Sequence, residues 1–172
     1  MKKEIRKEYR EKRKNIKNKT FKDDIIFKKI ILDNDINEAD TLLIYVSTDE
    51  EIETKKIINY FLKTKKVAVP RIENNEMNFY YIKNINELEK GYYNILEPIT
   101  NNKVTDFNNS VCITPGICYS KDFFRVGYGG GFYDKFYAKN NIFSIGVCYK
   151  ELLLNEINHD EFDILVKKLI TD

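Results

Sequence analysis

Between residues 41 and 69 the hydrophobic period changes twice, and that switch restricts the chain to a small set of architectures. Thr41 to Val46 (TLLIYV) is a short β-branched and aromatic run with the character of a strand. Thr48 and Glu51 then stand at capping-box spacing, and Ile57, Ile58, Phe61 and Leu62 recur on one helical face. Val67 to Val69 gives a second strand, which Pro70 is expected to end. Strand, helix and strand at this spacing predict a right-handed parallel crossover.

The rest of the chain extends the pattern. Residues 2–17 read as a helix, rich in Lys, Glu and Arg, with Ile5, Tyr9 and Ile16 as its apolar seam. A second helix is expected at 20–32, where Phe21, Ile25, Ile26, Ile30 and Ile31 recur at helical spacing. A strand at 79–82, a short helix at 85–89 and a turn at Gly91 follow. After these come a strand at 111–113, a long glycine loop, a helix from Phe132, a strand at 143–148, a short helix and a last strand at 169–171. The expectation is a single domain spanning 1–172. It is an α/β fold of the three-layer, open doubly wound type, with a mostly parallel sheet flanked by helices.

Charge is unevenly placed. Residues 1–19 hold ten Lys/Arg against three Glu, a local +7 in a chain of net charge +2. Such a segment suits a polyanion, an anionic membrane or the phosphates of a small ligand, and composition alone does not choose. No apolar run approaches the roughly 20 residues that span a bilayer, and the N-terminus is charged where a signal peptide is apolar, so a cytoplasmic protein is expected. Cys112, Cys118 and Cys148 show no metal-ligand spacing and read as reduced, buried packing residues. His159 is the only histidine, which excludes a multi-histidine metal site and leaves carboxylates, suited to magnesium, as the ligands of any essential metal.

Four of the seven glycines fall within Gly127 to Gly131, in the run Arg125-Val-Gly-Tyr-Gly-Gly-Gly-Phe-Tyr-Asp134, directly ahead of a helix. Glycines open positive φ and let bare N–H groups approach an anion, and the following helix N-terminus adds partial positive charge where a phosphate would sit. A flexible linker is the bland alternative, but Tyr128, Phe132, Tyr133 and Asp134 are not linker residues. The run lacks the Gly-Lys-Ser/Thr of a Walker A loop and is not a clean dinucleotide fingerprint.

Preceded by Thr114-Pro115-Gly116, this run resembles the signature of the 5-formyltetrahydrofolate cyclo-ligase family. The likeness extends to Lys2-Lys-Glu-Ile-Arg6, to Asp49-Glu-Glu-Ile-Glu-Thr54, to Gly91 with Glu97-Pro98, and to the tail from Phe162-Asp163 to Thr171-Asp172. It implies ATP- and Mg2+-dependent closure of 5-formyltetrahydrofolate to 5,10-methenyltetrahydrofolate, with ADP and phosphate released. The partners implied are a small-molecule folate and ATP, with no nucleic acid and no membrane, and a monomer is expected.

By the same resemblance, Lys2, Lys3, Glu4, Ile5 and Arg6 belong to the ATP site together with Arg125, Val126, Gly127, Tyr128, Gly129, Gly130, Gly131, Phe132 and Tyr133. Arg125 and Tyr133 are the candidate catalytic residues. Thr48, Glu53, Tyr128, Gly129, Gly130, Gly131 and Phe132 are the candidate folate contacts, and Asp134 and Asp163 the candidate magnesium ligands. Lys167 stands where the family often has a second acid four residues after Asp163. Two rivals stay open on the residues alone. One is a sugar-phosphate isomerase-like or non-catalytic phosphate-binding α/β protein. The other is a nucleic-acid-binding module that uses the basic N-terminus and binds in a steeply salt-sensitive way.

Overall fold

A computed structural model describes residues 1–172. Its centre is a six-stranded sheet of β1 (Thr41–Ile44), β2 (Lys66–Glu73), β3 (Glu76–Ile82), β6 (Ser110–Thr114), β9 (Phe143–Cys148) and β11 (Lys168–Thr171), in the order β11-β9-β6-β1-β2-β3. All neighbours are parallel except β2 and β3, which form an antiparallel hairpin. The expected crossover is present, with β1 and β2 joined by α4 (Lys55–Phe61).

Both faces of the sheet are covered. Leu42, Ile44, Val67, Val69, Val111, Ile113, Ile145 and Val147 point to one core, while Leu43, Ala68 and Cys112 point to the other, as the two-residue period of strands requires. The first face packs against Ile26 and Ile30 of α2 (Lys19–Ile31), Ile36 of α3 (Asn34–Glu38), and Ile57, Ile58 and Phe61 of α4. The second packs against Phe136 and Tyr137 of α5 (Phe132–Lys139). Each fully buried Leu or Ile here contributes about 1.5–3 kcal/mol of burial free energy. α1 (Lys2–Lys14) lies across the first core with Ile5 and Tyr9 half-buried against it. The three cysteines are free and buried, and burial pushes the thiols of Cys112 and Cys118 up to about 12, so they stay protonated.

Several elements depart from the sequence expectation. α1 stops at Lys14, with Asn15 as its cap, and does not run to 17. Thr48 and Glu51 do pair, the Thr48 N–H donating to Glu51 Oε2 at 2.9 Å, but they close a turn and the helix starts only at Lys55. Pro70 does not end β2. Parallel pairing with β1 stops at Ala68, so Pro70 lies where one side of the strand is unpaired and its missing N–H breaks no ladder there. In place of the helix expected at 85–89, Ile85–Glu87 form a single 3₁₀ turn, followed by β4 (Leu88–Lys90), which pairs with β5 (Leu96–Pro98) around Gly91.

The largest difference lies ahead of the glycine loop. A small sheet intervenes after β6, with β7 (Cys118–Ser120) antiparallel to β8 (Arg125–Val126) and parallel to β10 (Leu153–Leu154). The glycine run therefore leaves β8 of this minor sheet and not a strand of the main one. No helix is long and apolar enough to cross a membrane.

Candidate active site

Four chain segments meet at the glycine loop. β8 delivers Arg125, the loop turns through Gly129 at φ 106° and Gly131 at φ 67°, and α5 begins immediately behind it. Positive φ of this kind is cheap for glycine and strained for other residues. Gly131 is the N-cap of α5 and no side chain satisfies the first turn, so the amide end of the helix faces outward with Asp134 as its only acid.

Arg125 is nearly enclosed, its side chain 6% exposed, and its Nη2 pairs with Asp134 Oδ2 at 3.2 Å. Burial pulls its pKa down, but Asp134 together with the surrounding Tyr119, Tyr137 and Tyr133 outweighs that and raises it. The guanidinium also lies 5.2 Å from the centre of the Tyr133 ring. Arg125 Nε and the Tyr133 hydroxyl are both buried without a hydrogen-bond partner. Two unsatisfied polar groups side by side cost roughly 1–3 kcal/mol each unless a ligand or water completes them. Burial holds the Tyr133 phenol far above its ordinary pKa, which leaves it a hydrogen-bond donor and not a base.

From α1, Arg6 donates from Nε to the Gly127 carbonyl at 2.9 Å, and its guanidinium passes about 4 Å from the Cβ position of Gly129. Lys2 pairs with Asp163 and lies 3.8 Å from Asp160. Asp163 in turn accepts the Asp160 N–H at 2.8 Å, and the N–H of Ile164 donates to Asp134 Oδ1 at 3.2 Å. The two candidate metal acids are thus neighbours, though far apart in sequence. Lys3 and Glu4 stand exposed, Glu4 pairing with the terminal ammonium at 3.2 Å, and Ile5 packs into the core. Val126 is buried in β8.

The remaining candidates lie near the end of β1. Thr48 is exposed on the turn, and the half-buried Glu53, just ahead of the N-cap Thr54, accepts the Lys55 N–H at 2.6 Å and the Lys56 N–H at 3.1 Å at the start of α4. Tyr128 is held from two sides, accepting from Arg13 Nη1 at 2.8 Å and donating to Glu51 Oε1 at 2.6 Å. Arg13, Glu50, Glu51 and Asp160 were not expected here. The signal for Arg13 was present, since Lys2, Arg6 and Arg13 share with Ile5 and Tyr9 the face of α1 that turns inward. Lys167 is exposed, and its backbone N–H donates to the Ser144 carbonyl at 2.9 Å, which anchors the chain to β9.

No group of three or more His, Cys, Asp or Glu side chains is gathered to hold a metal. Asp134 and Asp163 are hard oxygen donors on adjoining segments, joined through the Ile164 N–H, and each already answers a cation. That donor set fits a magnesium ion that arrives with phosphate oxygens and keeps several waters, not an all-protein cage.

The Lys2–Asp163 pair makes the hold on α1 pH-dependent. Burial would push the Asp163 pKa up, but the Lys2 ammonium and the Asp160 N–H outweigh it and hold it below the ordinary carboxylate value. A carboxylate depressed by folding stabilises above its unfolded pKa and loses that contribution as pH falls through the folded one. The stability difference between the wild type and Lys2→Met, measured by urea unfolding, is expected to be on the order of 0.5–1 kcal/mol at pH 7 and to be lost as the pH falls below about 4. A difference independent of pH would show that the pair contributes nothing.

Known proteins match along the whole chain. The model of the 5-formyltetrahydrofolate cyclo-ligase family matches residues 1–172. A probable 5-formyltetrahydrofolate cyclo-ligase of Caenorhabditis elegans is 25% identical over 191 aligned residues, covering 98% of this chain and 93% of the relative. The 5-formyltetrahydrofolate cyclo-ligase of Mus musculus is 25% identical, covering 85% and 80% respectively. Among solved structures, the 5,10-methenyltetrahydrofolate synthetase of Aquifex aeolicus superposes with a TM-score of 0.88 at 23% identity, over 99% of this chain and 89% of that one. The 5,10-methenyltetrahydrofolate synthetase of Mycoplasma pneumoniae superposes with a TM-score of 0.79 at 19% identity, over 98% and 97%. These two likenesses bear on the fold.

Proposed function

The chain belongs to the 5-formyltetrahydrofolate cyclo-ligase family, and on that premise we propose that it closes 5-formyltetrahydrofolate to 5,10-methenyltetrahydrofolate at the expense of ATP, which becomes ADP and phosphate. The observation that carries the reading is the buried, incompletely bonded pair of Arg125 and Tyr133 beneath a glycine turn whose helix end no side chain caps. Such a place suits a group on which negative charge grows.

The chemistry explains why those groups are needed. A formamide oxygen leaves poorly, so the formyl oxygen first attacks the γ-phosphorus, with ADP as leaving group. The N10 lone pair then attacks the formyl carbon, the N10 proton is lost, and the C–O bond breaks with phosphate departing. Arg125 Nε and the Tyr133 hydroxyl, a donor and not a base, stabilise the oxygens as charge moves onto them. Lys2, Arg6 and the amides of Gly127 to Gly131 orient the phosphates, with Lys3, Glu4, Ile5 and Val126 supplying the backbone around them. Thr48, Glu53, Tyr128 and Phe132 orient the folate, the Glu53 carboxylate being able to accept pterin N–H groups. Asp134 and Asp163 would hold magnesium, which supplies charge neutralisation on the phosphates.

The test is the ultraviolet absorbance of purified protein mixed with 5-formyltetrahydrofolate, magnesium and ATP, beside mixtures lacking ATP or metal. Growth of the methenyl product's band only in the complete mixture is expected. Silence from well-folded protein would leave a phosphate-binding loop but remove the folate reaction.

A further inference from the structure

Between β1 and α4 the chain makes a loop, residues 45–54, whose acids serve the site: Glu50 pairs with Arg13 at 3.2 Å, Glu51 accepts from Tyr128 at 2.6 Å, and Glu53 is the folate candidate. Thr54 closes this loop in an unusual way. It is the N-cap of α4, where a threonine hydroxyl ordinarily accepts an N–H of the first helical turn, yet its side chain makes no such bond. Glu53 has taken over that task, accepting the N–H groups of Lys55 and Lys56. The Thr54 hydroxyl turns back to the end of β1 instead. It accepts the Ser47 N–H at 2.9 Å and donates to the Tyr45 carbonyl at 2.8 Å, while Ser47 Oγ accepts the Thr54 N–H at 3.0 Å. The Tyr45 hydroxyl adds a fourth tie, donating to the Ile52 carbonyl at 3.0 Å. Thr54 is fully buried, so a side chain of the same shape without the hydroxyl would leave the Ser47 N–H and the Tyr45 carbonyl without these partners.

We propose that the Thr54 hydroxyl is a positioning group for the site: by holding Ser47 against the start of α4 it sets where Glu51 meets Tyr128 and where Glu53 stands. The path is continuous. Ser47 is followed by Thr48, whose N–H donates to Glu51 Oε2 at 2.9 Å, and the other oxygen of that carboxylate accepts from the Tyr128 hydroxyl within the glycine run. A contiguous hydrogen-bond chain of this kind can carry a displacement from the frame to the loop. For Glu53 the assignment rests on the folate reading, whereas for Glu51 and Tyr128 it rests on bonds present in the structure.

The test is Thr54→Val, which keeps the shape and deletes the hydroxyl. Beside it stand Thr54→Ser, which keeps the hydroxyl, and Ile58→Val, which loosens the buried face of α4 without touching the frame. Amide NMR shifts of the ligand-free proteins are read first. Thr54→Val should move the signals of Glu51, Tyr128 and Gly129, Thr54→Ser should return them to their wild-type places, and Ile58→Val should leave them there. In steady-state cyclisation, Thr54→Val should raise KM for 5-formyltetrahydrofolate about fivefold with kcat within about twofold, and Ile58→Val should leave KM unchanged. If Thr54→Val does not fold, Ser47→Ala, which deletes only the bond to the Thr54 N–H, carries the same test with smaller shifts of the same signals. Glycine-loop signals that stay in place in the folded variant, signals that move equally in Ile58→Val, or an unchanged KM would overturn the assignment. The shifts require no turnover, so moved glycine-loop signals in a protein that forms no methenyl product tell against the reaction and not against the frame.

Discussion

Replacing Arg125 by alanine is expected to lower kcat for cyclisation about 10²–10³-fold, the loss typical of one preorganised donor at a charge-developing oxygen. Stability should fall with it. Removing one partner of a buried ion pair costs roughly 3–5 kcal/mol, and the lower end applies because Asp134 stays 23% exposed and keeps the Ile164 N–H. Arg125→Lys separates the two effects. An ammonium restores charge beside Asp134 but has no fork to present a second donor toward the reacting group. Its unfolding midpoint should recover toward that of the wild type while kcat stays low. Steady-state rates beside urea denaturation read both quantities. A folded Arg125→Ala protein with kcat within about twofold of the wild type would remove Arg125 from the chemistry.

The difference between what the residues announce and what the fold adds follows from the range of the interactions. β1, α4 and the face of α2 were legible because each signals itself within one local period: Leu42 and Ile44 against Leu43, and Ile26 with Ile30. The β7–β8 hairpin escaped because its strands have three and two residues and its turn places Phe123 at φ 72°, where a turn signal would have been Gly or Asn. α3 was too short, at five residues, for a helical period to show. The extension of β2 past Pro70 was hidden because the tolerance for proline depends on where β1 stops pairing, which is a property of the sheet and not of β2.

The site divides in the same way. Its glycine turn is local, so the run from Gly127 to Gly131 announced it. The adjacency of Asp134 and Asp163 rests on one hydrogen bond from Ile164, between segments some 30 residues apart. Spacing alone gives no reason to bring those two acids together, and only the resemblance pointed to them. Glu53 shows the converse: its residue type suits a pterin, while its present bonds are those of an ordinary helix-start carboxylate.

Arg13 sits on a face of α1 that the sequence marks as inward, but its partners Glu50 and Tyr128 are long-range, and its removal should have the second large effect. Its side chain is 3% exposed, with Nη2 at 3.2 Å from Glu50, Nη1 at 2.8 Å from the Tyr128 hydroxyl, and the guanidinium carbon 5.5 Å from the Tyr128 ring centre. The Tyr128 hydroxyl in turn donates a hydrogen bond to Glu51. One guanidinium therefore ties α1, the turn after β1 and the glycine loop together, with Tyr128 as its link to the loop. Arg13→Ala should raise KM for ATP about tenfold with a smaller change in kcat, because the loop still forms but is less often in its binding arrangement. It should also lower stability by about 2–3 kcal/mol through lost packing and a stranded Tyr128–Glu51 pair. Tyr128→Phe keeps the ring and deletes the shared hydroxyl. If the strap is real, the two substitutions are strongly non-additive, with a coupling of about 1 kcal/mol or more between residues 115 positions apart in the chain. Strict additivity in KM would mean that Arg13 holds the helix down but does not position the loop.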